Sequence, residues 1–290
     1  MSYFDPIVAP AVVQERTYVF KTKDGDELIG QMYAPSGRKP FAIVLINGAT
    51  GVPQGFYSAF AEWLAREKGL ACFTYDYRDI GRSLRGSLRK STARMSDWGI
   101  ADAEAARRFV RYTLPNVPIW MMGHSLGGMM LPFQRDFSGV TRVINVSSGA
   151  VLPSDHPKSY RMKALLFWHV VGPLLTAGLG YLPSKLVGLG ESLPASVFWQ
   201  WRRWCTRAEF YDPDAGFELP SYEPDQLRMP IKFVSIADDE LCTLHSTQKL
   251  VRRYERGDIA VIDPRPNGDH LGHMGIFRKS AEAYWHELIA

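Results

Sequence analysis

A serine flanked by glycines is the clearest chemical feature of this 290-residue sequence. Gly123-His124-Ser125-Leu126-Gly127 matches the pattern G-x-S-x-G, and the apolar run VPIWMM precedes it. The pattern and its context predict a strand, a sharp turn at Ser125 and a helix over residues 126–135. Glycines two residues to either side remove side chains that would collide in such a turn. The alternative is a glycine-rich strand–helix turn that carries an incidental serine.

A serine hydroxyl becomes a good nucleophile only beside a base that a carboxylate orients, in the chain order Ser, acid, His for this type of turn. Two late histidines, His270 and His273, lie in the segment PNGDHLGHMGIFRK between an apolar run and a final helical run. We favour His273, because Gly272 precedes it and it leads directly into the predicted helix. His270 follows Asp269 and is interpreted as a solvated loop residue.

The acid is expected directly after the apolar run PIKFVSIA, where Asp238, Asp239 and Glu240 are adjacent. Side chains in an extended segment alternate in direction, so Asp238 and Asp239 cannot both face one histidine. We choose Asp239 first, Asp238 second and Glu240 third. A solvated acidic turn is the alternative interpretation.

Acyl transfer also needs hydrogen-bond donors for the developing oxyanion. The backbone N–H of Leu126, directly after the serine, is one predicted donor. The second is expected in the loop Asn47-Gly48-Ala49-Thr50-Gly51 after the run FAIVLI, and we assign it to the N–H of Ala49. A plain glycine-rich turn fits the same composition.

These residues need strands that end at a common edge. Short apolar runs alternate with helical patterns along the chain, which predicts βαβ units and a mostly parallel sheet covered by helices on both faces. An initial hairpin is predicted from the Asp24-Gly25 turn between two strand-like runs. The predicted strands span 17–22, 27–35, 41–46, 70–76, 117–123, 141–148, 230–237 and 259–263. The predicted helices span 56–68, 96–112, 126–135, 243–254 and 275–289.

This alternation stops between residues 152 and 228. The stretch is apolar and rich in proline and glycine, and it holds four of the eight tryptophans. We predict a core formed by residues 1–151 and 229–290, with residues 152–228 inserted as a helical cap over the carboxyl edge of the sheet, where open α/β folds bind ligands. A packing insertion without a role in substrate binding is the alternative.

Several motifs together resemble the α/β-hydrolase superfamily, and more narrowly the serine-aminopeptidase-like and monoglyceride-lipase-like hydrolases. They are INGATG (46–51), YDYRDIGRS (75–83), GHSLGG (123–128), ADDE (237–240) and GHMG (272–275). The resemblance covers roughly residues 27–150 and 229–289. It implies a Ser–Asp–His triad, no metal, no cofactor and a small ester, thioester or amide substrate. Many relatives have His-Gly where this chain has Asn47-Gly48. No resemblance is assigned to the cap, so the family does not identify the substrate.

The composition restricts the class of protein and its cellular location. Hydrophobic residues make up 46% and charged residues 22% of the chain, as in soluble globular proteins, and a net charge of +4 is too small to indicate nucleic-acid binding. The three widely spaced cysteines fit neither a disulfide framework nor a zinc site. The first residues show no secretory signal. These features favour a reducing, cytoplasmic location, and they leave the oligomeric state open.

Two further segments concern contact with a membrane or with anionic substrates. Residues 164–184 contain no charged side chain and are long enough to span a bilayer, but prolines and glycines interrupt them. We interpret them as a buried or interfacial helical element, so membrane contact is possible but not favoured. Basic residues cluster between Arg78 and Arg94 with only Asp79 opposing them, and we interpret this cluster as a solvated loop rather than as a site that steers anionic substrates.

The sequence therefore predicts a serine hydrolase of the carboxylesterase or lipase type. Ser125 attacks an acyl carbonyl, His273 accepts its proton, and Asp239 orients the imidazole. The aromatic cap favours an apolar substrate. An acyltransferase with the same triad and a catalytically silent binding protein of the same fold are the alternatives.

Overall fold

A computed structural model describes residues 12–223, 226–254 and 257–290 of the chain. An eight-stranded sheet forms its centre, in the order β1-β2-β4-β3-β5-β6-β9-β10. Its strands are β1 (Val13–Lys21), β2 (Glu27–Pro35), β3 (Ile43–Asn47), β4 (Ala71–Tyr75), β5 (Ile119–His124), β6 (Val140–Val146), β9 (Ile231–Ile236) and β10 (Asp258–Ile262). Two short strands, β7 (Tyr181–Leu182) and β8 (Leu193–Pro194), pair separately.

The predicted hairpin is confirmed. Strands β1 and β2 pair antiparallel around the Asp24-Gly25 turn, where Gly25 takes a left-handed φ of +99°. Strand β2 also runs antiparallel to β4, and every other pair in the large sheet is parallel. The prediction of a mostly parallel sheet is therefore correct.

Alternate residues of the central strands enter two separate cores. On β3, Ile43 and Leu45 join one core, while Val44 and Ile46 join the other. Because successive side chains of a strand point to opposite faces, both faces of the sheet must be covered. Helices cover both, as predicted. The α-helices are α1 (Ser58–Lys68), α2 (Ala103–Thr113), α3 (Lys158–Leu166), α4 (Gly172–Leu179), α5 (Ala195–Cys205), α6 (Leu244–Val251) and α7 (Trp285–Ile289).

Two of the predicted helices are wrong in part. Residues 126–135 form only the 3-10 segments Ser125–Gly128 and Leu131–Phe133, because Gly127, Gly128 and Pro132 do not support an α-helix. Residues 275–289 form 3-10 segments over Gly275–Phe277 and Lys279–Tyr284 before α7 begins.

The turn that holds Ser125 brings backbone against backbone. A Cβ atom added at Gly123 would lie 2.5 Å from backbone atoms of Gly127 and Gly128. One added at Gly127 would lie 2.0 Å from the carbonyl oxygen of Asn47, at the end of β3. Both glycines of the G-x-S-x-G pattern are therefore required by close approach, as the sequence predicts.

The predicted cap lies between β6 and β9 in the chain. It contains α3, α4, α5, β7 and β8, and a π segment over Phe167–Val171 joins α3 to α4 in one continuous helix. This helix, Lys158–Leu179, is long and apolar enough to cross a membrane by length and composition, and only 22% of its apolar stretch is buried inside the protein. The buried alternative for residues 164–184 therefore does not describe this helix.

Arg78 corrects the interpretation of the basic cluster. The side chain is buried, and its guanidinium contacts Asp102 at 2.6 Å and Asp24 and Asp26 at 2.7 Å each. Three carboxylates therefore hold Arg78 in a structural ion network that fastens the first hairpin to the segment after β4. The five remaining basic side chains are exposed, as predicted: Arg82, Arg85, Arg89, Lys90 and Arg94.

The close approach at the turn predicts a large effect of one methyl group. Gly123→Ala is expected to lower the free energy of unfolding by about 3 kcal/mol or more, because rigid backbone cannot move away from the added Cβ. Gly55→Ala is the matched control, since nothing lies within 4 Å of a Cβ there. Urea unfolding of both variants checks this prediction, and equal stabilities would contradict it.

Candidate active site

Four predicted site segments meet at the carboxyl edge of the sheet. Parallel strands β3, β5, β9 and β10 end there, and the loops that follow them carry Ala49, Ser125, Asp239 and His273 respectively. Because these strands run in the same direction, Ala49 and His273, which are 224 positions apart in sequence, are delivered to one edge.

Ser125 occupies a strained backbone position. It follows β5 with a φ of +53°, which a residue with a side chain rarely adopts, and it is largely buried. The Ser148 hydroxyl, in the loop after β6, donates to the Ser125 carbonyl at 2.8 Å. The neighbouring strand therefore helps to hold the strained turn.

His273 and Asp239 form a buried pair. The Nδ1 atom of His273 lies 2.8 Å from Oδ2 of Asp239, whose side chain is fully buried. The other carboxylate oxygen accepts the backbone N–H groups of Leu241 and Cys242 at 2.9 and 2.8 Å. Both oxygens of Asp239 are thus occupied, so the carboxylate is fixed in place and presents one oxygen to the imidazole.

Asp238 faces a different partner. Its carboxylate contacts His270 at 2.6 Å and accepts the N–H groups of Leu271 and Gly272 at 2.9 Å each. The His270 side chain is 82% exposed, whereas that of His273 is 14% exposed. The two adjacent aspartates therefore separate as predicted, but they do so in a turn after β9, where the Asp239 N–H donates to the Ile236 carbonyl at 3.1 Å, and not in an extended segment. Asp238 holds the loop that carries His273, and Asp239 contacts the imidazole itself.

Glu240, the third acidic candidate, points away from both histidines. Its carboxylate accepts the Ser159 hydroxyl at 3.1 Å on the surface, and its backbone carbonyl lies 3.0 Å from Nδ1 of His156. Glu240 thus links the loop after β9 to the inserted segment.

Three buried tyrosine hydroxyls hold the loop that was predicted to bind the oxyanion. Tyr75 donates to Oδ1 of Asn47 at 2.8 Å, and Tyr77 donates to the Gly48 carbonyl at 3.0 Å. The N–H of Ala49 donates to the Tyr57 hydroxyl at 2.9 Å. Asn47, at the place of the histidine that many α/β hydrolases carry, therefore has a structural bond of its own.

The Tyr57 hydroxyl continues into a buried chain of hydrogen bonds that reaches His273. It lies 2.9 Å from Nδ1 of His124, and Nε2 of His124 lies 3.0 Å from the His273 carbonyl oxygen. Because the hydroxyl accepts from Ala49, its proton points to Nδ1 of His124, and Nε2 of that ring carries the proton given to His273. We call this chain, from Ala49 through Tyr57 and His124 to His273, the relay.

Burial keeps the central ring of the relay neutral. Burial, together with the neighbouring His273, lowers the pKa of His124 to about 3. A neutral imidazole can accept at one nitrogen and donate at the other, as the relay requires. A protonated ring would donate at both nitrogens and lose its bond from Tyr57.

Sequence analysis missed Tyr57 and His124 as members of the site. His124 occupies a variable position of the G-x-S-x-G pattern, and Tyr57 is one of several aromatic residues in the helix predicted over 56–68. Their contact joins residues 67 positions apart. The only signal in the sequence is the position of His124 beside Ser125.

Ser125 opens onto an apolar cavity of about 300 Å³. The core contributes Met129, Val151 and Leu241 to its wall. The remaining lining comes from the inserted segment, namely His156, Tyr160, Lys163, Ala164, Phe167, Trp168, Val187, Gly188, Leu189, Trp201 and Cys205. The cavity is at the small end of the usual range for ligand pockets, and apolar and aromatic side chains dominate it.

Comparisons with known proteins agree with this architecture. The model of the alpha/beta hydrolase family matches residues 43–282. No curated protein sequence matches the chain.

Three solved structures illustrate the shared fold. An esterase domain from Rhodothermus marinus is 15% identical, with 94% of this chain and 98% of that one covered and a TM-score of 0.55. An esterase from Pyrococcus furiosus is 14% identical, with 95% and 89% covered and a TM-score of 0.59. A hypothetical protein from Pseudomonas aeruginosa is 16% identical, with 98% and 94% covered and a TM-score of 0.63. At these identities the likeness establishes the fold.

The lowered pKa of His124 predicts a loss of stability in acid. Below its ordinary pKa of 6.5 the ring takes up a proton in the unfolded chain but not in the folded one, so falling pH favours unfolding. Between pH 7 and pH 5 this group alone is expected to lower the free energy of unfolding by about 2 kcal/mol. His124→Gln keeps one acceptor and one donor but cannot titrate, and it is expected to lack this contribution.

Urea unfolding of the wild type and of His124→Gln at both pH values checks this prediction. The difference between the two proteins isolates His124, because every other titrating group is present in both. Equal losses of stability in the two proteins would contradict it.

Proposed function

The chain belongs to the alpha/beta hydrolase family, and from this premise we propose that it is a serine hydrolase that cleaves esters of apolar substrates through an acyl-enzyme. One observation carries the proposal: the buried 2.8 Å contact between His273 and Asp239, at the sheet edge that also presents Ser125. A buried carboxylate on a histidine supplies the orientation that a catalytic base needs.

The contact between Asp239 and His273 supports the following proposed reaction cycle. Because Asp239 holds Nδ1 of His273, the opposite nitrogen, Nε2, is the one available to accept the Ser125 proton as the oxygen attacks the acyl carbonyl. His273 then returns the proton to the leaving alcohol, and the acyl group remains on Ser125. Water repeats the sequence with His273 as base, which releases the carboxylic acid and restores the serine.

The oxyanion donors in this proposal are the N–H groups of Leu126 and Ala49. Leu126 is the second residue of the 3-10 segment Ser125–Gly128. N–H groups in the first turn of a helix have no acceptor within that helix, so this N–H is available to an oxyanion. The Ala49 N–H is bonded to Tyr57, so an oxyanion must share it with that hydroxyl or displace the hydroxyl. Leu126 is therefore the donor that needs no rearrangement.

The lining of the cavity supports an apolar acyl or alkyl group as the part of the substrate that binds beside Ser125. Esters are preferred over amides and thioesters in this proposal because the Rhodothermus and Pyrococcus proteins of similar fold are esterases. Cytoplasmic location belongs to the same proposal, supported by three cysteines that are all buried and unpaired.

Removing the nucleophile is the direct test. Ser125→Ala is expected to lower the hydrolysis of short p-nitrophenyl esters by about 10⁴-fold or more and to abolish labelling by a fluorophosphonate probe. Urea unfolding verifies that the variant is folded. Survival of both activity and labelling would refute the proposal, and transfer of the acyl group to an added alcohol instead of water would identify an acyltransferase.

The two Asp–His pairs provide a matched comparison. His273→Asn and Asp239→Asn are each expected to lower kcat by about 10³- to 10⁴-fold. The first variant loses the catalytic base, and the second loses the carboxylate that orients it. His270→Asn is expected to stay within about twofold of the wild type, since its exposed ring lies outside the buried pair. Steady-state kinetics on one ester decide between the pairs, and a greater loss in His270→Asn than in His273→Asn would overturn the assignment.

A further inference from the structure

The long helix Lys158–Leu179 exposes a row of apolar side chains to solvent. Its members recur at every fourth residue: Met162 is 68% exposed, Leu166 54%, Val170 44% and Leu174 68%. We call these four residues the apolar stripe. Exposed apolar side chains that occur singly are ordinary on protein surfaces, whereas a contiguous row indicates an interaction site.

The π segment Phe167–Val171 keeps the apolar stripe on one side of the helix. In an ideal α-helix each residue turns by about 100°, so positions four apart drift by about 40° at every step. A π turn contains one additional residue, so the residues that follow it are rotated backward about the helix axis by about 100°. Because it lies between Leu166 and Leu174, it offsets most of the drift that the stripe would otherwise show.

Positive charge borders the apolar stripe. Residues 156–190 contain no Asp or Glu, and Lys158, Arg161 and Lys163 occupy the first two turns of the helix. Cations at that end oppose the helix dipole, so their placement costs stability instead of adding to it. Their concentration there is better explained by an anionic partner.

The carboxylates at the borders of this segment are already engaged. Asp155 contacts Lys249 at 2.8 Å, Glu191 contacts Lys185 at 3.1 Å, and Glu240 accepts the Ser159 hydroxyl. Glu240 keeps its negative charge beside Ser159, so the first two turns carry three cations against one neighbouring carboxylate and stay net positive.

The same helix lines the cavity at Ser125 through Tyr160, Lys163, Ala164, Phe167 and Trp168. Trp168 and Ala164 are buried there. One helix thus separates the cavity from the outer surface, with an apolar side toward each. Spanning a bilayer would pull these buried residues out of the protein, whereas lying in the plane of an interface would not.

We propose that the exposed face of helix Lys158–Leu179 docks on an anionic lipid surface, with the apolar stripe in the headgroup and acyl boundary and the cations against lipid phosphates and carboxylates. This is the chemistry of an interfacial amphipathic helix. A second copy of the chain is the poorer partner, since residues 156–190 of that copy contain no carboxylate with which to pair these cations. Docking would place the cavity beside apolar esters, and only this last consequence rests on the proposed function.

Sedimentation with vesicles tests the docking without any turnover. The full-length protein is expected to pellet with vesicles of phosphatidylcholine and phosphatidylserine, and less with phosphatidylcholine alone. The double variant Leu166→Gln/Leu174→Gln is expected to partition about tenfold less, because two apolar side chains no longer enter the lipid. Lys158→Gln is expected to lose about fivefold on the anionic vesicles only.

The matched control is Tyr112→Gln/Phe217→Gln, which replaces two side chains that are each 87% exposed outside the helix, and it is expected to partition like the wild type. Ser125→Ala is expected to bind normally, so failure of docking and failure of the hydrolytic proposal give separate results. Wild type that stays in the supernatant, or a stripe variant that pellets equally, would refute the docking. A soluble dimer that the stripe variant converts to monomer would identify a second copy as the partner instead.

Discussion

The steric contact at the Ser125 turn is the constraint from which the site follows. Ser125 is held at a left-handed φ while Gly127 rests on the Asn47 carbonyl, so close that a methyl group would lie 2.0 Å from it. A Cβ at Gly128 would in turn lie 2.3 Å from the Ser148 hydroxyl. The strands on both sides of β5 thus end against the turn itself. Their loops are brought to the serine by backbone packing and need no contact with its side chain.

A buried polar network extends this placement to the base. The relay runs from the Ala49 N–H to the His273 carbonyl, and Asp239 holds the His273 ring from the other side. Each buried polar group in it has a partner, which is the condition under which such a network adds rigidity instead of cost. The same network ties the predicted oxyanion loop to the base, so a movement of Tyr57 would be felt at both.

The inserted segment has two different faces for a physical reason. One side of its long helix lines the apolar cavity beside Ser125, and the helix also carries apolar residues on its exposed side. A soluble surface helix normally has a polar outer face. The helix Lys158–Leu179 departs from that rule along the apolar stripe, and its first two turns carry cations but no Asp or Glu. This combination underlies the proposed lipid contact.

Local sequence pattern predicted the hairpin, the parallel strands, the chain order of serine, acid and histidine, and the turn at Ser125. Periodicity, glycine spacing and turn chemistry are short-range properties, so the sequence alone is sufficient for them. It also limited the acid to three neighbours and the base to two histidines. The contact of Asp239 with His273, and of Asp238 with His270, was decided by the tertiary structure, since alternation predicts that neighbours diverge but not which one faces inward. The short 3-10 turns after Ser125 and the burial of Arg78 among three carboxylates likewise arose from packing against distant strands. Tyr57 and His124 lie 67 residues apart, and no sequence spacing encodes a hydrogen bond that exists only because β3 and β5 are neighbours in the sheet.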